Sequence, residues 1–151
     1  MPNPWGSSLP SEQFYYSNLI GNADVAVPNG VETNVMQATS AVAWGPGSYV
    51  PAILGSVAVL IGAAPLTQLR FGLRVNNGTD QAFNYVVAGM LIANAQFMAP
   101  LCMFGAGSSP TLWYPVGANI QLSCLATGGS CTILQAASQP YYGVYRVQDG
   151  S

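Results

Sequence analysis

The sequence contains no histidine and no lysine, and charged residues of any kind make up only 5% of its 151 residues. In an ordinary soluble domain, roughly a quarter of the residues are charged. Between Asp80 and Arg146 the chain carries no charge at all. Because a monomer free in solution usually keeps charged groups on its surface, either polar uncharged side chains replace them here or a partner covers much of the surface.

The missing histidine also removes most catalytic chemistry. The chain has no imidazole base, no Ser-His or Cys-His pair, and no ordinary zinc or haem site. Its five carboxylates are scattered singly, so a glycosidase pair would require distant acids to meet in the fold. No phosphate-binding glycine loop, dinucleotide motif or calcium loop occurs. We therefore expect no enzymatic activity, no cofactor and no bound metal.

Hydrophobic runs long enough to cross a membrane are missing as well. The longest apolar run, residues 57–64, falls far short of the ~20 residues that a spanning helix needs. The first residues lack the basic region and apolar core of a secretory signal, so we expect either synthesis in the cytoplasm or a chain that has already been processed. With three arginines and a net charge of -2, the chain has little with which to neutralise a phosphate backbone. We expect neither a membrane nor a nucleic acid as its partner.

The chain does contain the alternation of apolar and polar residues that is typical of half-buried β-strands. The clearest case is residues 66–75, which place on one face the side chains of Leu69, Phe71, Leu73 and Val75. The Asn-Asn-Gly sequence at 76–78 favours a turn with positive φ angles. Residues 82–93 then predict a second long strand, which pairs with the first and is buried on both faces after Tyr85.

Turn sequences recur about every dozen residues along the rest of the chain, and no segment has the caps and period of a helix. An uninterrupted apolar strand is predicted at 53–61, an edge strand containing Pro100 at 96–104, and separate strands at 131–136 and 141–147. The pattern predicts an all-β fold, an antiparallel β-sandwich of the jelly-roll type with about eight strands. We assign this single domain to residues 14–151, after an extended proline-rich N-terminal arm over residues 1–13.

Cysteine is present in an odd number, as Cys102, Cys124 and Cys131. Cys124 and Cys131 flank a turn, and they would face each other across a hairpin, close enough for a disulfide, if the loop comprises residues 126–129. A register shifted by one residue would separate them. The alternative, which we favour, is that all three are small buried hydrophobic side chains.

Aromatic residues and arginines are the candidates for contacts with other molecules. An N-terminal set is expected to dock on a neighbouring subunit unless the arm is frayed; it comprises Trp5, Phe14, Tyr15 and Tyr16. Arg70 and Arg74 share the polar face of a strand, where they either are balanced by Asp80 or Glu32 or anchor contacts between subunits. A second aromatic set, which belongs to the core and rim or else stacks on a carbohydrate, comprises Trp113, Tyr114, Tyr141 and Tyr142.

The last third of the chain runs from Trp113-Tyr114-Pro115-Val116-Gly117 through an alternating strand and a glycine turn to a closing tyrosine-rich strand. This order resembles the final hairpin and last strand of small jelly-roll domains, such as trimeric tumour-necrosis-factor-like modules and bacteriophage decoration and minor capsid proteins. The resemblance covers residues 49–147 and carries over no catalytic or ligand residue. The low charge and the proline-rich arm fit the viral group better than a secreted cytokine.

The resemblance implies a structural virion protein, a decoration (cement) or minor capsid protein on the capsid surface, made in the host cytoplasm. Its expected partners are copies of itself in a homo-oligomer, as a trimer, and a major capsid or other shell protein that it stabilises. The alternative function is a receptor- or carbohydrate-binding head domain of a phage fibre or a lectin-like surface protein.

Overall fold

A computed structural model describes residues 12–39, 47–105 and 119–149 of the chain. The strands within these residues are β1 (Glu12–Tyr16), β2 (Val25–Val27), β3 (Thr33–Thr39), β4 (Gly47–Ile61), β5 (Gln68–Val75), β6 (Ala82–Tyr85), β7 (Gln96–Phe104), β8 (Asn119–Thr127) and β9 (Cys131–Asp149). Helical structure in the same residues is confined to single 3-10 turns at Ile20–Asn22 and Ala88–Met90. Neither turn is long enough to cross a bilayer. The all-β prediction is confirmed.

The strands form two antiparallel sheets that face each other. One sheet has five strands: four lie in the order β1-β9-β4-β7, and β2 also pairs with β9. The other sheet has four strands, in the order β3-β8-β5-β6. Because β1 and β2 both pair with β9, they act as one interrupted strand. Counted in this way, the described residues form eight strands in the orders 1-8-3-6 and 2-7-4-5, and the predicted jelly-roll sandwich is confirmed. β1 begins at Glu12, inside the range that we assigned to the arm.

The core lies between the two sheets and consists of the inward faces of their strands. On β5 the side chains of Leu69, Phe71 and Leu73 are fully buried, as the alternation predicted. They belong to one cluster with inward side chains of the other strands, such as Leu122 on β8 and Val59 on β4. Burying one such side chain contributes about 1.5–3 kcal/mol. A register slip of one residue would expose the whole set, so burial fixes the register of each strand.

The long buried strand predicted at 82–93 is wrong. β6 does pair with β5, but it ends at Tyr85 after four residues and is the edge of its sheet. Val87 and Ile92, which follow it, are 70% and 61% exposed. The reason is topological: the next strand, β7, belongs to the other sheet, so the chain must leave the four-stranded sheet here and cross over.

β9 also differs from the prediction, because the two strands expected at 131–136 and 141–147 form one strand of 19 residues. A bulge of residues 135–138 marks the boundary, where β9 opposes Val57 of β4 alone. Ser138 closes the bulge: its Oγ donates a 2.6 Å hydrogen bond to the Leu134 carbonyl and accepts one of 2.9 Å from Ala58 N. The edge position predicted for residues 96–104 is confirmed, since β7 ends its sheet.

Candidate interaction surfaces

The outer face of the four-stranded sheet carries a cluster of four charged side chains from β5 and its neighbouring loops. Asp80 accepts a 2.7 Å hydrogen bond from Nε of Arg74, and Glu32 Oε1 lies 2.6 Å from an Arg74 guanidinium nitrogen. Arg70 lies farther away, 3.6 Å from Glu32 and 3.9 Å from Asp80. Its guanidinium also sits over the ring of Phe83, 4.6 Å from the centroid. Two positive and two negative groups make the cluster neutral.

The turn after β5 places Asp80 in this cluster. Asn76 and Asn77 have positive φ angles of 51° and 59°, as the Asn-Asn-Gly sequence predicted. Gln121 of β8 holds the turn, since its Nε2 donates a 2.6 Å hydrogen bond to Asn77 Oδ1 and its Oε1 accepts one of 2.9 Å from Asn77 N. The chain folds back over Gly72, where any Cβ would lie 2.6 Å from an Asp80 oxygen.

Asp80 is 7% exposed, and its environment stabilises the carboxylate form. Burial alone raises the pKa of Asp80, but the hydrogen bonds from Arg74 and Ser123 and the positive charge of Arg74 outweigh burial and hold the pKa below its ordinary value. Ser123 Oγ donates a bond of 3.0 Å. The hydrogen bond to Asp80 in turn raises the pKa of Arg74. Both shifts favour the charged forms of Asp80 and Arg74.

Within one chain, these contacts agree with the first of the two alternatives for Arg70 and Arg74. Both arginines are balanced by Glu32 and Asp80, as the first alternative stated. Their use as anchors between subunits stays a prediction. A neutral and internally paired cluster exerts little field on a distant partner, so it contributes weakly to attraction between molecules.

The outer face of the five-stranded sheet has the opposite character. None of the side chains described in β1, β2, β4, β7 and β9 is charged. Burial alternates strictly along β7, so every second side chain points away from the core. Large apolar side chains exposed on this face are Tyr16, Leu60, Met98, Phe104 and Tyr141. In its described side chains this surface is uncharged and largely apolar, and we call it the apolar sheet face.

Tyrosines of β1 and β9 form cross-strand pairs at one edge of this sheet. Tyr16 is opposite Tyr141, with ring centroids 5.9 Å apart in an edge-on arrangement, and the two are 49% and 39% exposed. Tyr15 is opposite Tyr142 at 5.7 Å. Burial, with a smaller contribution from Tyr15, raises the pKa of Tyr142. Of the other aromatic candidates, Phe14 lies in β1 opposite Gly143. Trp5, Trp113 and Tyr114 lie outside the described residues.

A groove of about 310 Å³ opens where the edges of the two sheets meet, between β6 with its following turn and β7. We call it the β6–β7 groove. Its walls include Tyr85, Val87, Met90, Phe97 and Met98, and its floor reaches Phe71 in the core. Asn84 marks its one polar position: Oδ1 accepts a 2.8 Å hydrogen bond from Cys102 N, and Nδ2 lies 3.4 Å from the Cys102 carbonyl oxygen.

The cysteines are free thiols, so the hairpin disulfide is absent from the structure. The predicted hairpin was wrong, because β8 and β9 lie in different sheets and do not pair with each other. Cys124 and Cys131 instead hydrogen bond to each other in the core. Burial raises the pKa of Cys124 well above its ordinary value, whereas the bond from Cys124 lowers that of Cys131. Cys102 is exposed, contrary to the expectation that all three are buried.

The described residues contain no group of three or more cysteine, aspartate or glutamate side chains that could hold a metal ion. The β6–β7 groove and the exposure of the segment after Tyr85 were not foreseen. The sequence signal that could have revealed them is the apolar run at 86–92, which has no period-two alternation and so is a poor fit to an edge strand.

No protein-family model matches the sequence, and no curated protein matches it significantly. Among solved structures, it is similar to a CocE/NonD family hydrolase from Staphylococcus aureus, with 9% identity and a TM-score of 0.51. The match covers 91% of this chain and 37% of the hydrolase chain. The chain thus spans little more than a third of that protein, and the likeness is one of fold.

Two further structures are a viral protein and a tumour-necrosis-factor protein. One is the VP2 subviral particle of infectious bursal disease virus, with 13% identity, a TM-score of 0.44, and coverage of 93% of this chain and 38% of that chain. The other is the Eiger TNF protein of S. frugiperda, with 11% identity, a TM-score of 0.42, and coverage of 91% and 94%. The solved structures that resemble this chain therefore include a viral capsid protein and a tumour-necrosis-factor-like protein, alongside a hydrolase.

Proposed function

We propose that this chain is a structural component of a virus particle, a decoration or minor capsid protein that acts by contact and not by catalysis. The observation that carries the proposal is the apolar sheet face. Within the described side chains it has no charge, yet it exposes large apolar groups across several strands. Large exposed apolar patches on a soluble protein mark surfaces for other proteins.

The size of this face suits an interface. Four strands about 4.8 Å apart, each about nine residues long at about 3.3 Å per residue, cover roughly 600 Å². A stable protein–protein interface buries roughly 800 Å² on each partner. Loops at the rim of the face would supply the remaining buried area. Area alone does not set affinity, but this face is large enough to form the centre of a specific contact.

The partners that fit are copies of the same chain and a shell protein on which the copies sit. The described side chains of such faces pack on one another without like-charge repulsion, because none of them carries charge. A homotrimer on the capsid surface would cover part of each face within the oligomer and leave the rest for the shell. The chain would stabilise the shell by joining neighbouring shell subunits.

The test compares two substitutions of exposed apolar residues. Leu60→Asp places a charge on the apolar sheet face, and Val31→Asp places one before β3, away from that face. Particles reconstituted with the Leu60→Asp chain should lose the rise in thermal midpoint that the wild-type chain gives, while Val31→Asp should keep it. Equal behaviour of the two variants, or a shell that the wild-type chain does not stabilise, would remove the proposal's support.

A second function is favoured by one observation, the exposed pair Tyr16 and Tyr141. Their rings stand edge-on at the rim of the sheet and could stack on a sugar of a receptor. Glycan-array binding that is lost in Tyr141→Ala and kept in Tyr85→Ala would support a carbohydrate-binding head domain. If the wild-type chain binds no glycan, the carbohydrate-binding function is ruled out and only the contact function remains.

A further inference from the structure

The β6–β7 groove is an open flank of the sandwich, and it exposes more than side chains. On β7 the backbone groups of Cys102 point away from β4, since they bond to Asn84 of β6. The backbone direction alternates along a strand. The N–H and C=O groups of Gln96 and Met98 therefore point to the same side, beside the groove, where no described strand pairs with β7. Pro100, between them and Cys102, has no N–H to offer.

A groove of this kind accepts an extended segment with one large apolar side chain. The free edge of β7 supplies hydrogen bonds to an extended backbone, and the cavity supplies a pocket for its anchor. The volume of about 310 Å³ is at the lower end of the range for small ligands. No lining residue is charged, so a charged segment would lose its hydration without compensation.

One segment of this chain has the required composition. Residues 1–11, which precede β1, contain no charged residue, three prolines, and the single aromatic residue Trp5. Prolines favour extended backbone and lower the entropy that is lost when a segment binds. Tryptophan is the residue most enriched at the energetic centres of interfaces, together with tyrosine and arginine.

Trp5 cannot easily reach the groove of its own chain. Glu12 lies three strand positions from β7 across the sheet, about 14 Å. The pairing through β9 aligns Glu12 with Val50 of β4. The groove is aligned with Val57 of β4, which lies about 24 Å further along that strand. The combined distance is about 28 Å, but the seven residues from Trp5 to Glu12 extend at most about 25 Å.

The direction of β1 makes the intramolecular route still harder. From Glu12 to Tyr16 the strand runs towards the level of the groove, because its partners on β9 lead from Tyr145 to Tyr141. Glu12 is therefore the end of β1 that lies farther from the groove, and a chain continuing from it in the direction of the strand would move away from the groove. A neighbouring molecule has no such restriction.

We propose that the β6–β7 groove receives Trp5 and the extended segment around it from a second copy of this chain. This contact rests on the proposed function, since it deepens the account of how copies assemble. It makes the N-terminal arm the donor and the open flank of the sandwich the acceptor, so each molecule has one of each.

The first test uses a dye-labelled peptide of residues 1–11 and the full-length Trp5→Ala protein, whose own arms lack the anchor. Fluorescence anisotropy should show the peptide binding this protein, and binding should weaken at least tenfold when Val87→Glu is added. Val87 is 70% exposed, so its substitution leaves the core intact. Adding Val31→Glu instead is the matched control and should change nothing. A peptide that does not bind, or that binds all three proteins equally, overturns the proposal.

The second test mixes two full-length variants. Trp5→Ala retains a groove and Val87→Glu retains an arm, so each alone should show weakened chemical cross-linking between copies, and their mixture should recover it. No gain on mixing overturns the arm contact. An oligomer that is unaffected in both variants overturns the arm contact alone, whereas a monomeric wild-type chain that leaves shells unchanged overturns the proposed function.

Discussion

Arg74 and Asp80 are joined by a 2.7 Å hydrogen bond between Nε and Oδ1, and this pair is the centre of the chain's ionic structure. With Arg70 and Glu32 it gathers half of the eight charged residues, three basic and five acidic, on one outer face. Among the side chains that the structure describes, the other outer face carries only apolar and polar uncharged groups.

The pH dependence of stability should report on Asp80. Its folded-state pKa lies below the value of an unfolded chain, so near pH 4 the unfolded state binds more protons. The stability that this carboxylate contributes is present above about pH 4 and is lost as the pH falls through the folded-state pKa. Asp80→Asn should flatten this slope and cost roughly 2 kcal/mol at neutral pH.

Urea unfolding between about pH 2 and about pH 7 measures this effect. Asp24→Asn is the matched control, because an asparagine there keeps the oxygen that accepts a 2.8 Å hydrogen bond from Gln135 N. An Asp80→Asn protein with the pH slope of the wild type would show that the carboxylate is not stabilised in the fold.

The three thiols should differ in reactivity. Cys102 is exposed, whereas Cys124 and Cys131 are buried in the core. A thiol reagent such as iodoacetamide should modify one cysteine in the native protein and all three in denaturant without reductant, as read by mass spectrometry. Only one modified cysteine in denaturant would mean that Cys124 and Cys131 are joined by a disulfide.

Gly55 should tolerate no side chain. Its φ is +102°, and a Cβ there would collide with the carbonyl oxygen of Gln139 beside the bulge of β9. Gly55→Ala should destabilise the fold by about 3 kcal/mol or more, because the positive φ is strained for alanine and the added Cβ clashes with the neighbouring strand. Gly89→Ala is the control, because a Cβ at Gly89 meets no atom within 4 Å. Thermal unfolding of the two variants should differ clearly, and equal midpoints would contradict the strained geometry.

Salt should have little effect on self-association. The proposed surface is uncharged in its described part, and the ionic cluster is neutral and paired within one chain. Between about 0.05 M and about 0.5 M NaCl the dissociation constant of the oligomer should change by less than about threefold. Sedimentation at several salt concentrations measures it, and a change of tenfold or more would indicate that charges drive assembly.

Local alternation explains how much of the fold could be predicted. Leu69, Phe71 and Leu73 alternate with polar residues, and so their strand and its buried face followed directly from the sequence. Pro100 likewise placed β7 at an edge, since a proline cannot donate to a ladder. The turn at Asn76 and Asn77 followed from the residues that tolerate positive φ. In each case the structure depends on residues that are neighbours in the sequence.

The errors concern features that depend on distant residues. Residues 86–92 are apolar but exposed, because the crossover to the other sheet happens there and nothing local marks it. The bulge at 135–138 depends on β4, and the contact of Cys124 with Cys131 depends on two sheets facing each other. The β6–β7 groove exists only because the edges of both sheets meet, so no single segment encodes it. The neutral cluster of Arg70, Arg74, Glu32 and Asp80 was one of two alternatives for the same reason.

The mass of the purified full-length chain over a wide dilution range tests the central claim most directly. Sedimentation equilibrium or light scattering should show a homo-oligomer that persists on dilution, and Leu60→Asp should shift it towards monomers while Val31→Asp leaves it unchanged. A chain that remains monomeric at every concentration, and dissolves freely with its apolar sheet face uncovered, would contradict the account.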